Sequence, residues 1–66
     1  GERNLYWRLS AFDNLAYLSD LYKIPYREQK KRIDDLLEMV GLQDVAYQKV
    51  ETFSKGMKQR LQLLGG

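Results

Sequence analysis

The stretch "ETFSKGMKQRLQLL", Glu51 to Leu64, places a serine, a glycine and lysines where together they could grip an anion. Read as a helix starting at Ser54, it carries Lys55, Gly56 and Lys58 at its start and no acidic residue to offset them. Cations there oppose the positive end of the helix dipole, typically by about 0.3–1 kcal/mol each. A glycine inside the first turn costs about another 1 kcal/mol relative to alanine. Ser54 is nonetheless a good N-cap residue. The same features suit a phosphate: a hydroxyl, free backbone amides, a glycine that admits close approach, and nearby cations. Physical chemistry alone leaves two readings level, an anion seat and an ordinary capped surface helix with solvated lysines.

Other chemistries find less support. The 66 residues include no Cys and no His, so no disulfide or zinc site is expected, and no metal site of any kind. The missing cysteines fit a reducing compartment. With 44% hydrophobic and 30% charged residues the composition is that of a soluble globular chain, and no apolar run approaches the ~20 residues of a membrane span. Nothing resembles a signal peptide. The net charge of +2 permits an anionic partner without demanding one. The run "REQKKR", Arg27 to Arg32, invites a nucleic-acid or membrane-surface reading. Glu28 interrupts it and Asp34, Asp35 and Glu38 follow, so it reads first as the solvated half of an amphipathic helix. Tyr17, Tyr22, Tyr26 and Tyr47 read as core or rim rather than a base-stacking platform, and Met39 and Met57 as packing residues.

The elements that would position these residues are helical. Residues 1–9 form a lead-in loop without clear period. Ser10 and Asp13 make a capping box, and Phe12, Leu15, Leu18, Leu21 and Tyr22 follow at helical spacing, predicting a helix over 10–23. Pro25 pushes Ile24 out of the helical region and opens a second helix over 25–40, with Ile33, Leu36, Leu37 and Val40 as its apolar stripe. Gly41 suits the left-handed residue after that helix, with Leu42 packing back on Leu37. A connector follows, with one short turn around Asp44 to Tyr47. The last helix runs over 54–64, with Met57, Leu61 and Leu64 facing inward. The expected fold is all-α, a small bundle of three main helices in a single domain. So small a core rarely supplies more than ~3–5 kcal/mol unaided. The chain begins at Gly1 and ends in Gly65-Gly66, both of which read as cut ends of a larger protein.

"FSKGMKQRL" resembles the signature motif of ABC transporter ATP-binding domains, usually written LSGGQ and followed by a basic, Gln/Arg-rich helix start. Phe53 to Met57 occupy its positions, with Phe for Leu, Lys for the first Gly and Met for Gln; the Ser and the second Gly are kept. The variant is similar to that of exporter-type, multidrug- or antibiotic-like members. "ERNLYWRLSAFDNLAYLSDLY" is similar to the segment after the Q-loop, often E-R-x-x-Y-W-R-L-T-x-x-E-N-L, and "RIDDLLEMVGLQDVAYQKVETFS" resembles the stretch leading to the signature. The resemblance therefore covers nearly the whole chain. It departs from the family where the Q-loop glutamine would fall at or before Gly1, and after Leu64, where Gly65-Gly66 replaces the usual Ala-Arg-Ala-Leu. No G-x-x-x-x-G-K-[ST] phosphate loop and no apolar run ending in Asp-Glu is present.

The resemblance implies a helical subdomain excised from an α/β ATPase, packed against the RecA-like core of the parent chain. Ser54, Lys55, Gly56 and Met57 would meet the ATP γ-phosphate held by a second nucleotide-binding domain. Leu5, Tyr6, Trp7 and Arg8 would face the transmembrane permease subunits; the other reading of Tyr6 and Trp7 is that they cover the small core or pack on the RecA-like part. ATP and Mg are expected for the parent and no tight ligand or catalysis for the fragment. The parent would be cytoplasmic and peripheral on the inner face of the cell membrane. Nucleic acid is not expected. The competing readings are a small basic helical nucleic-acid-binding module, with the last helix as recognition helix, and a plain helical interaction domain.

Overall fold

Each helix begins or ends where local chemistry places it. The computed structural model describes residues 6–65. Ser10, in an extended conformation, accepts the Asp13 amide on its Oγ at 3.0 Å and starts helix α1, Ala11–Leu21. Helix α1 stops in a Schellman motif: Lys23 donates to the Asp20 carbonyl and Ile24 to the Ser19 carbonyl, each at 3.0 Å. Lys23 takes the left-handed position, with φ at 61°, although it bears a side chain. Pro25 then leads into α2, Tyr26–Met39.

Helix α2 ends in a second Schellman motif. Gly41, with φ at 75°, donates to the Glu38 carbonyl at 3.1 Å, and Leu42 donates to the Leu37 carbonyl at 2.8 Å. The connector holds two short 3₁₀ turns, Gln43–Val45 and Val50–Thr52, where the sequence suggested one. The second is closed by the Thr52 hydroxyl donating to the Lys49 carbonyl at 2.7 Å, a local bond that leaves no periodic trace. Helix α3, Lys55–Gly65, completes the bundle. Among the described residues the only strand-like pairing is an isolated antiparallel bridge between Ser10 and Lys49, so the fold is all-α.

The core draws on every part. Ala11 and Leu15 come from α1, Ile33 and Leu37 from α2, and Leu61 from α3. Leu42, Ala46, Val50 and Phe53 come from the connector, which is thus a wall of the core rather than a linker. Burying an apolar side chain of this size contributes about 1.5–3 kcal/mol. Gln29, also buried, ties the first two helices together: its Nε2 donates to Asp20 at 2.8 Å and to the Ile24 carbonyl at 2.9 Å.

Some sequence expectations do not survive. Met39 is 73% exposed, because at ~100° per residue it lies on the far side of α2 from Leu37. Leu21 and Tyr22 are exposed because α1 outruns the core at its C-terminal end. Tyr17, Tyr22, Tyr26 and Tyr47, by contrast, lie at the rim, one of the two places expected of them; Tyr47 stacks on Phe12 with ring centroids 5.2 Å apart.

Candidate functional site

The N-terminus of α3 is the chemically unusual place. Ser54 is exposed, and its Oγ accepts the Met57 amide at 3.1 Å while its carbonyl accepts the Lys58 amide at 3.0 Å. The hydroxyl therefore caps as an acceptor, and among the described residues nothing accepts its own proton. The Lys55 and Gly56 amides sit ahead of the first intrahelical bond, where a helix supplies no carbonyl for them. No acidic residue lies in this turn. A Cβ built on Gly56 would meet nothing within 4 Å, so packing inside this chain does not require glycine there. Met57 faces the other way: its amide is capped by Ser54 and its side chain packs on the core.

The lead-in residues reach the same helix from the side. Asn14, buried in α1, grips Tyr6 by both backbone groups: Oδ1 accepts the Tyr6 amide at 2.6 Å and Nδ2 donates to the Tyr6 carbonyl at 3.0 Å. Asn14 Nδ2 also donates to the Ser10 carbonyl at 2.9 Å. The Tyr6 ring meets Tyr17 edge-on, with centroids 5.1 Å apart. The Trp7 carbonyl accepts the Glu51 amide at 2.9 Å, and the Leu9 carbonyl accepts the Val50 amide at 3.0 Å. Lys58 Nζ lies 3.8 Å from the centroid of the Trp7 ring, so its charge faces the indole. Trp7 stays half exposed and Arg8 is exposed; Leu5 lies outside the described residues.

Comparison with known proteins decides the lineage of this geometry. The family model described as "ABC transporter" matches residues 2–65. The chain belongs to the ABC transporter family. It is 44% identical over 59 residues to the linearmycin resistance ATP-binding protein LnrL of Bacillus subtilis (strain 168), covering 89% of this chain and 19% of that protein. It is 43% identical over 61 residues to the ABC transporter ATP-binding protein NatA of the same strain, covering 92% and 25%. The methionine import ATP-binding protein MetN 1 of Bacillus thuringiensis subsp. konkukian (strain 97-27) is 43% identical over 58 residues, covering 88% and 17%. The chain thus spans a quarter or less of the length of these curated relatives.

Within this ABC transporter chain two of the four cations in the basic run, Lys30 and Lys31, pair on their own helix. Lys30 reaches Asp34 at 2.8 Å and Lys31 reaches Asp35 at 3.3 Å, all four exposed or nearly so. The hydrogen bond to Asp34, with its charge, holds the Lys30 ammonium above the ordinary lysine value. Among the described residues no group of three or more His, Cys, Asp or Glu side chains converges as a metal site, and no helix is long and apolar enough to cross a membrane. Two features of the site escaped the sequence reading. Asn14 looked like any helical asparagine, and the Lys58–Trp7 contact joins residues with no shared local pattern.

Proposed function

We propose that this chain is the helical subdomain of an ABC transporter ATP-binding protein and presents the signature motif to the γ-phosphate of ATP bound by an opposing domain. The observation that carries the reading is Ser54: its hydroxyl proton is free at the uncompensated positive end of α3, beside a glycine that this chain's own packing does not need. Ser54 Oγ–H donates to a γ-phosphate oxygen, and the Lys55 and Gly56 amides and the Lys55 charge complete an anion seat. Met57 acts through its position, anchoring the first turn on the core. These groups fit a phosphate. The Mg that accompanies ATP would be held by other parts of the parent.

Loss of the γ-phosphate on hydrolysis removes the acceptor that the seat holds, which releases one domain from the other. Coupling of that cycle to transport would run through transmembrane permease subunits met by Tyr6, Trp7 and Arg8, and by Leu5, with the ATP-binding protein peripheral on the inner face of the membrane. Aromatic and Arg side chains favour such interfaces. The fragment alone lacks the phosphate loop and catalytic carboxylate, so it neither hydrolyses ATP nor binds it tightly. The motif variant leans toward export, although relatives named for import share this segment at a similar level of identity.

The test is Ser54→Ala in the ATP-binding protein that carries this chain. A charge-assisted hydrogen bond of about 1.5–3 kcal/mol corresponds to roughly a 10- to 150-fold fall in ATP turnover. Unchanged turnover, with the protein folded, would remove the seat.

A further inference from the structure

We infer that Trp7 and Lys58 form a positioning pair that fixes the first turn of α3 against the lead-in segment, an inference that rests on the anion-seat reading of that turn. The lead-in backbone is itself anchored, by Asn14 on Tyr6 and by the Glu51 and Val50 amides on the Trp7 and Leu9 carbonyls. It therefore offers a fixed platform. The start of α3 is held on the core by Phe53 and Met57, but among the described residues nothing on that side fixes it against the lead-in platform. Ser54, Lys55 and Gly56 are exposed, Met57 is only half-buried, and the first fully buried side chain of the helix is Leu61, a full turn beyond Met57.

Across that gap stands one side-chain contact to the platform, the Lys58 ammonium 3.8 Å over the Trp7 ring. Its effect is directional. An ammonium attracted to the face of a half-exposed indole draws the Lys58 turn toward residues 6–10, and the Ser54 hydroxyl and free amides are carried by that same turn. Lys58 thus acts on the seat through Trp7 and does not itself ligate the anion. Any shift of the lead-in segment is passed to the seat through the pair as well as through the connector.

The experiment is a double-mutant cycle in the ATP-binding protein that carries this chain, using Trp7→Leu, Lys58→Met, the double variant, and the conservative Trp7→Tyr and Lys58→Arg. Amide hydrogen exchange of the peptide covering residues 54–61 reads positioning, and ATP turnover reads its consequence. Each single loss should speed exchange and lower turnover by about two- to fivefold, the worth of an exposed cation–π contact. The double variant should go no further than either single, and the conservative variants should keep most of the original values. Losses that multiply, no change in exchange, or a turnover loss from Lys58→Met unmatched by Trp7→Leu would each overturn the pair. Because exchange is measured independently of turnover, a failed Ser54→Ala test sinks the seat reading while leaving the positioning result to be judged separately.

Discussion

Arg60 Nη1 donates to the Val40 carbonyl at 3.1 Å, so a side chain of α3 caps the C-terminus of α2 across 20 residues of chain. The carbonyls at a helix C-terminus lack partners and carry partial negative charge, and a guanidinium answers both needs. Arg60→Ala should destabilise the chain by about 1 kcal/mol, since the contact is exposed. In a domain this small that is a fall of roughly 4–8 °C in Tm, readable by circular dichroism. Arg60→Lys should recover part of the loss, because it keeps the charge but not the fork.

The two Schellman motifs predict substitutions of opposite sign. Gly41 has φ at 75°, and a Cβ there would lie 3.3 Å from Arg60 Nη1. Gly41→Ala should cost about 1–2 kcal/mol, from left-handed backbone alone. Lys23 already bears that strain at φ 61°. Lys23→Gly should stabilise by up to about 1 kcal/mol, net of the greater freedom glycine gives the unfolded chain. Urea unfolding of the two variants, with m unchanged, checks both; a loss of stability in Lys23→Gly would count against the strain argument.

Asn14 is 3% exposed and bonds three backbone groups, those of Tyr6 and that of Ser10. Asn14→Leu is close in size and stays apolar, yet should destabilise by about 2–3 kcal/mol, because it strands partly buried backbone donors and acceptors. Emission from Trp7, the only tryptophan, should also change as residues 6–8 lose their clamp. A variant as stable as the parent, with unaltered emission, would show that the clamp is dispensable.

Gly56 separates stability from function. Nothing within 4 Å opposes a Cβ there, so Gly56→Ala should raise helix stability by up to about 1 kcal/mol. In the ATP-binding protein, on the proposed reading, the same methyl would stand where the backbone approaches a phosphate, and turnover should fall by tenfold or more. The pairing of a higher Tm with lower turnover is the informative result. Equal or higher turnover would argue that Gly56 has no ligand to accommodate.

What could be read from the residues follows the range of the forces involved. The Ser10 cap, the Gly41–Leu42 stop and the Ile33–Leu37 face depend on neighbours within a turn or two, and the sequence pattern exposes them. The left-handed Lys23 was hidden because residue preference argues against it; the imminent Pro25 and the turn into α2 overrule that preference. Arg60 on Val40, Lys58 on Trp7 and Asn14 on Tyr6 need the assembled fold before their partners exist. The exposed Met39 follows the same logic, since helical angle and not hydrophobic type decides burial on α2. At the candidate site, residue types named Ser54 and Gly56, but only geometry showed that the hydroxyl proton has no acceptor among the described residues and that the Lys58 ammonium faces an indole.

The bridge between Ser10 and Lys49, with the Val50 and Glu51 amides on the Leu9 and Trp7 carbonyls, also fixes an order of events during synthesis. Helices α1 and α2 are neighbours in sequence and can pack as soon as both have left the ribosome. Residues 6–10 emerge before either helix, yet Trp7 and Leu9 find their backbone partners only once the chain beyond Lys49 is free. A truncated translation product that ends before that point keeps a helical hairpin and exposes an aromatic lead-in held by α1 alone, through Asn14 and Tyr17 on Tyr6, a ready substrate for chaperone or protease.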